Sequence, residues 1–306
     1  MRVAVIIAAR DVAPFIGDAL ASVLGQSHGD LSLILVDDGS ADGTPEVAAR
    51  FADPRLTIIR QPNAGVSAAR NRGAAHAAST HPDALLFLDG DDWLAPDALR
   101  RLVAGLVAAP QAAAAHAPFA FVAEAARPEA PGALHIRAAP ARRDVLPCLI
   151  LGNLFANGGH MLIRASAWAG AGGFREDLRF AEDWEFWLRL ALQGSLLPLG
   201  GPPLLFVRRR QGSLMQGAAT RLAAYEPALA AIGGNAALRA RLGPARLARL
   251  LHRARRELLW TVGREMLRRG EARNALPFLW RGVAGRARPQ RIAILGKAWA
   301  QSLRRA

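Results

Sequence analysis

Short apolar runs recur through the first third of the chain at Val3–Ala8, Leu31–Val36, Leu56–Ile59 and Ala84–Leu88. Between them lie Pro14–Leu24, Thr44–Phe51 and Val66–Ala78, each with helical spacing, the first opening on a proline suited to a first helical turn. A further helix is expected over Pro96–Val107 and a fifth strand over Ala112–Phe121. This alternation leaves few folds open. Neighbouring parallel strands need crossovers, and the crossovers carry helices to both faces of the sheet. The expectation is an α/β fold with a mainly parallel sheet flanked by helices.

Later segments read less regularly. Residues 123–143 are rich in Ala, Pro and Arg with no clear period, as in a surface excursion. His160–Ile163 and Leu204–Val207 read as strands, and Glu182–Leu192 as an amphipathic helix. From about residue 218 the pattern is helical to the end. Trp260, Trp280 and Trp299 fall there as expected core anchors of stacked helical hairpins. The expected organisation is a catalytic domain over 1–215 and a basic helical extension over 216–306.

The chemistry concentrates in Asp89-Gly90-Asp91-Asp92, which ends the run Ala84–Leu88. Open α/β sheets bind ligands at the carboxyl ends of their strands. Asp89 and Asp91 point the same way if the strand continues, or diverge around one ligand if it turns at Gly90. Hard oxygen donors this close suit Mg²⁺ or Mn²⁺ carrying a diphosphate. The plain alternative is a solvated acidic turn capping the helix near Pro96. The tetrapeptide alone does not separate the two.

Composition narrows the classes. With 306 residues, 52% of them apolar, the chain can bury one large core or two smaller ones. Cys148 is the only cysteine, which excludes a disulfide framework or cysteine zinc site and is compatible with a reducing compartment. The apolar run after Met1-Arg2 is ended by Arg10 and Asp11 too early for a secretion signal. No run reaches the roughly 18 apolar residues of a spanning helix. Residues 1–200 carry 17 Arg against 21 acidic residues, whereas 201–306 carry 21 Arg and one Lys against four Glu. The basic part favours an anionic partner such as a membrane surface, or is simply a helical segment with solvated arginines. A cytoplasmic protein, peripheral on the inner face of the membrane, is expected.

Four motifs follow one another in a telling order. They are Asp37-Asp38-Gly39-Ser40 after the second strand, Asn63-Ala64-Gly65-Val66-Ser67-Ala68-Ala69-Arg70-Asn71 after the third, Asp89–Asp92 after the fourth, and Gly172-Gly173-Phe174 followed by Glu182-Asp183-Trp184. The set resembles the family-2 inverting glycosyltransferases with the GT-A fold, over about residues 1–215. The resemblance implies transfer of one sugar from a nucleotide-sugar donor, a UDP-sugar, to the hydroxyl of a saccharide or lipid-linked acceptor, in cell-surface polysaccharide or glycolipid synthesis.

Residue by residue, the resemblance implies that Asp38 reads the nucleotide base, since a carboxylate accepts from the ring N–H of uracil. Arg70 would contact the base or the diphosphate. Asp91 would coordinate the divalent metal, with Asp89 binding the ribose or assisting the metal and Asp92 behind them. Asp183 would be the catalytic base. Glu182 would hold the acceptor or the helix start, and Trp184 would offer a face to the acceptor sugar. Trp187 and Leu188 are assigned to the core. The structural alternatives are a helix cap for Asp37-Asp38, a surface arginine for Arg70, and a charged first helical turn for Glu182-Asp183.

Two departures bear on the donor. Arg10 stands where the family usually has an aromatic ring that packs on the base, and a guanidinium plane can also stack. Arg210, in the loop Val207–Ser213, stands where some members carry a metal-binding His. An arginine cannot ligate a cation, so Arg210 is expected to grip a donor phosphate. His160 is expected to be structural. The competing readings are a sugar-phosphate nucleotidyltransferase and a non-catalytic basic membrane-binding protein. The first lacks its Gly-rich Lys-bearing loop after strand one, and the second predicts loss of acidic motifs that are all present. Aromatics are sparse in the tail, which disfavours specific nucleic-acid binding.

Overall fold

The computed structural model describes residues 1–140, 144–210, 218–283 and 289–303. The end of the 123–143 excursion, the Gln211–Ser213 part of the late loop, the expected boundary at 215/216 and the last three residues of the tail lie outside these. The chain divides into two compact units, Met1–Val145 with Leu154–Gln211, and Leu146–Asn153 with Gly212–Ala306.

The first unit is built on β1 (Val3–Ala9), β2 (Leu31–Asp37), β3 (Leu56–Arg60) and β4 (Ala84–Asp89). β1 pairs in parallel with β2 and β4, and β2 with β3. All of β1 is buried, as expected for a strand covered on both faces. The helices between are α1 (Ala13–Leu24), α2 (Thr44–Ala48) and α3 (Val66–Ala77), and α4 (Ala98–Ala108) follows β4 after the short β5 (Trp93–Leu94). Among the described residues the main sheet has seven strands in the order β10-β6-β9-β4-β1-β2-β3. Here β6 is Ala112–His116, β9 is Met161–Arg164 and β10 is Ser195–Pro198, and β9 runs antiparallel to both neighbours. A second sheet, β5-β11-β7-β8, adds β7 (Phe119–Ala123), β8 (His135–Arg137) and β11 (Leu205–Arg209).

The expected fifth strand, Ala112–Phe121, is therefore two strands in two sheets. Pro118 has no N–H for a ladder. At this break Ala117 donates its N–H to His160 O, and Pro118 O accepts from Leu204 N, so the chain changes sheets there. The surface excursion contains β8, whose three residues are all exposed. Also unforeseen are β5, β10, α5 (Leu146–Leu151) and α6 (Ala165–Ala171). α7 (Glu182–Leu190) follows α6.

The second unit is helical. α5 packs on α10 (Pro244–Arg268), which packs on α11 (Ala272–Val283), which packs on α12 (Pro289–Leu303); α8 (Glu226–Gly234) and α9 (Ala236–Leu242) precede them. α10 and α11 approach closely at Gly282, where an added Cβ would lie 2.8 Å from Trp260 Cβ. Trp260, Ala275, Leu279 and Ala298 form the core of this packing. Only one of the three tail tryptophans is the anchor expected: Trp260 is buried, but Trp280 is 67% and Trp299 61% exposed. Their helices turn other residues inward.

Candidate active site

Register brings the polar residues to one edge of the main sheet. Ala9 pairs with Asp37 and Ala8 with Asp89, so the carboxyl ends of β1, β2 and β4 finish level. Gly90 N donates to Ala8 O at 3.1 Å and Asp92 N to Asp89 O at 3.1 Å, which folds the acidic turn back on itself. The chain then leaves for the second sheet through β5.

Asp89, Asp91 and Asp92 each offer a carboxylate oxygen, all within 4.8 Å of one another. Burial, with Asp89 adding, pushes the Asp91 carboxyl up despite the pull of Arg210. Asp92 is pushed well above its ordinary value by burial, then by Asp91 and Asp89. Carboxylates crowded and dried in this way gain most from a nearby cation. Three hard oxygen donors fit Mg²⁺ or Mn²⁺, and Asp91 with Asp89 are the residues that would hold it. Both Asp92 oxygens accept bonds from within the protein, Oδ1 from Arg208 N at 2.9 Å and Oδ2 from Asn157, and so do both Asp89 oxygens, from Arg70 and Asn157.

Three guanidinium groups, of Arg210, Arg208 and Arg70, flank the cluster. Arg210 Nη1 donates to Asp91 Oδ2 at 3.0 Å, and its Cζ lies 5.0 Å from the Phe15 ring centroid. Arg208 lies over Trp93 at 4.4 Å and Phe15 at 4.9 Å, and donates to Asp91 O at 2.7 Å and to Asp18. Arg10 projects from the end of β1, 44% exposed, with Nε 3.6 Å from Asp11 Oδ2.

Arg70 is not on an open surface. It is 4% exposed and donates to Asp89 Oδ1 at 2.7 Å and Glu182 Oε1 at 3.0 Å. Burial alone would lower its pKa, but Asp89 and Glu182, with Asp183 beyond, outweigh it and raise the value. Two carboxylates from distant segments thus meet on its guanidinium, Asp89 at Nη2 and Glu182 at Nη1. Asp38, 4% exposed, accepts from Gln61 Nε2 at 2.7 Å, Ala64 N at 2.8 Å and Gly65 N at 2.9 Å. A carboxylate has about four acceptor directions, and the loop fills three.

Glu182 and Asp183 open α7 directly after Ala181, whose φ of 59° lies in the left-handed region. Asp183 Oδ1 accepts from Trp184 N at 2.6 Å. Acidic side chains in this first turn are favoured by the helix dipole. Trp184 is 1% exposed, so it has no face to offer an acceptor sugar. It belongs to the core with Phe186, Trp187 and Leu188. Asn71 joins α3 to the glycine-rich segment, donating to Phe174 O and accepting from Phe174 N, both at 2.8 Å.

Sequence reasoning missed Asn157. Its Nδ2 donates to Asp89 Oδ2 at 2.9 Å and to Asp92 Oδ2, while Oδ1 accepts from Gly159 N at 3.1 Å. Gly158 next to it must be small, since a Cβ there would lie 2.9 Å from Phe87 O. The Asn157-Gly158-Gly159 run was the available signal for a tight polar turn.

The seven-stranded, mainly parallel sheet with an acidic turn at one strand end makes this an α/β fold with its polar residues gathered at one sheet edge. The family model described as Glycosyl transferase family 2 matches residues 4–167, and the chain belongs to that family. Succinoglycan biosynthesis protein ExoO of Rhizobium meliloti is 37% identical over 99 residues, 32% of this chain and 28% of that protein. Other curated relatives match over about a third or less of their own length. In structure the chain resembles S. aureus TarS 1–349 in complex with UDP-GlcNAc, with a TM-score of 0.64 at 16% identity, covering 98% of this chain and 88% of that one. It also resembles the mannosyltransferase PcManGT from Pyrobaculum calidifontis in complex with GDP-Man and Mn²⁺, with a TM-score of 0.60 at 22% identity, covering 99% and 80%. These likenesses establish the GT-A fold.

Proposed function

We propose that this protein is an inverting glycosyltransferase that moves one sugar from a nucleotide-sugar donor, a UDP-sugar, to the hydroxyl of a saccharide or lipid-linked acceptor. The observation that carries the reading is the Arg70 clamp. It ties Asp89 of the acidic turn to Glu182 at the start of α7, which supports a reading in which donor side and acceptor side share a buried guanidinium.

In this reading Asp38 accepts from the base, Arg10 stacks on it, and Arg210 grips a phosphate. Asp183 takes the proton of the acceptor hydroxyl as its oxygen attacks the anomeric carbon. The bond from that carbon to the diphosphate oxygen breaks, its electron pair leaves with the nucleoside diphosphate, and one displacement inverts the anomeric centre. A divalent ion at Asp91 and Asp89 would neutralise charge on the leaving diphosphate. Glu182, held by Arg70, orients the acceptor. The ExoO likeness supports a place in polysaccharide synthesis, and the two complexes support a nucleotide-sugar donor. The basic second unit suits an enzyme working at the inner face of a membrane.

Binding of UDP-, GDP- and dTDP-sugars to the purified protein with Mn²⁺ tests the donor. Preferential binding of a UDP-sugar, with nucleoside diphosphate released on turnover, is expected. Failure to bind any of the three would overturn the reading.

A further inference from the structure

α12 is apolar on two sides. On its inner side Ile294, Leu295 and Ala298 join the core around Trp260 and Leu279. On its outer side Ile292, Trp299 and Leu303 are 52%, 61% and 57% exposed, with exposed Gly296 between them. At positions i, i+4, i+7 and i+11 these four share one helix face. Trp280 of α11 is more exposed still, and of the seven tryptophans only Trp280 and Trp299 are exposed. A helix covering a domain ordinarily turns a polar face outward, and among the described residues nothing covers this stripe.

Charge says what covers it. After Glu271 the chain has seven Arg and Lys297 but no Asp or Glu. Arg281, beside Trp280, and Lys297, on α12, are both exposed. Arg291 is engaged elsewhere, donating to Glu257 and lying 4.9 Å from the Trp260 ring centroid. Exposed aromatic and aliphatic groups with cations beside them, on a stretch without acids after Glu271, match a surface that is apolar below and anionic above. A lipid bilayer with acidic headgroups is such a surface, and tryptophan favours the headgroup level. No described helix is long and apolar enough to cross a membrane, so attachment would lie in the plane of the interface.

We propose that α11 and α12 dock this protein on an anionic phospholipid bilayer. Trp280, Ile292, Trp299 and Leu303 enter the headgroup boundary, and Arg281 and Lys297 meet lipid phosphates. The inference deepens the proposed function by naming the face through which a lipid-linked acceptor is approached, and it rests on that reading for its purpose only.

Co-sedimentation of the full chain with vesicles, without donor or metal, tests it. Phosphatidylglycerol-containing vesicles should bind the protein at low salt and release it at high salt, and pure phosphatidylcholine vesicles should not bind it. The double variant Trp299→Ser/Leu303→Ser should bind about tenfold or more weakly, and Arg281→Gln/Lys297→Gln about tenfold or more weakly. Both variants alter exposed side chains and should keep the parent melting temperature and nucleotide-sugar affinity. No binding to phosphatidylglycerol vesicles, or equal binding by the Trp299→Ser/Leu303→Ser variant, overturns the docking. So does self-association of the parent that this variant abolishes, which would make the stripe a protein interface. Loss of donor binding with vesicle binding intact would count against the transferase reading and leave the docking standing.

Discussion

Arg210 Nη1 lies 3.0 Å from Asp91 Oδ2, so an internal cation already sits on a carboxylate that a divalent ion would need. Each side chain is about a quarter exposed, and a pair of this kind contributes on the order of 1 kcal/mol. A divalent ion at Asp91 would therefore compete with this guanidinium. Titrated with Mn²⁺ in the absence of donor, Arg210→Gln should bind the ion about fivefold more tightly than the parent, while its affinity for the nucleotide sugar falls. Unchanged or weaker Mn²⁺ binding would remove Arg210 from the site.

Asn157 is the second point of leverage. One side-chain amide serves Asp89 and Asp92, and Asp92 is 2% exposed. Asn157→Ala leaves a buried carboxylate short of a donor, which costs about 2 kcal/mol and should lower the melting temperature by roughly 4–8 °C. Asn157→Asp adds a fourth carboxylate and should cost more, with Mn²⁺ restoring part of the loss. A melting temperature unmoved by either substitution would show that the amide does not hold the cluster.

Much of this site was legible in the sequence, for reasons tied to particular residues. Asp89 and Asp91 end a strand that is apolar throughout, and parallel strands of that kind put their carboxyl ends at one edge. The break at Pro118 was readable in principle from its missing N–H, but the alanines on either side suit one long strand equally well. Arg70 was placed correctly on α3, yet its partners Asp89 and Glu182 lie 19 and 112 residues away, a pairing that only the tertiary fold determines. The tail tryptophans misled for a similar reason. Spacing locates a tryptophan on a helix but does not say whether another element covers it.

Two imidazoles make stability depend on pH. His116 and His160 are almost fully buried. Burial lowers the His116 pKa from 6.5 to about 3, with His160 adding, and the His160 pKa to about 4. Ala156 N donates to His160 Nε2 at 3.3 Å, so Nδ1 carries the proton and donates to Ala117 O at 2.9 Å. The unfolded chain binds these protons first. The contribution to stability is thus complete above about pH 6.5. It shrinks as pH falls, by about 1.4 kcal/mol per pH unit for each imidazole, down to about 4 for His160 and about 3 for His116. Melting temperatures between pH 7 and pH 4.5 should fall steadily in the parent and less steeply in His160→Asn. Parallel curves would contradict the assignment.

As the proposed base, Asp183 at the head of α7 removes the acceptor proton at a site whose donor is held by other residues. Asp183→Asn keeps the shape and the bond from Trp184 N but cannot take up a proton. The decisive measurement sets the nucleotide-sugar affinity of Asp183→Asn beside its transfer rate. This role of Asp183 predicts an affinity within about threefold of the parent and a rate lower by roughly 10²–10⁴-fold. A rate close to the parent's, or a loss of affinity as large as the loss of rate, would contradict it.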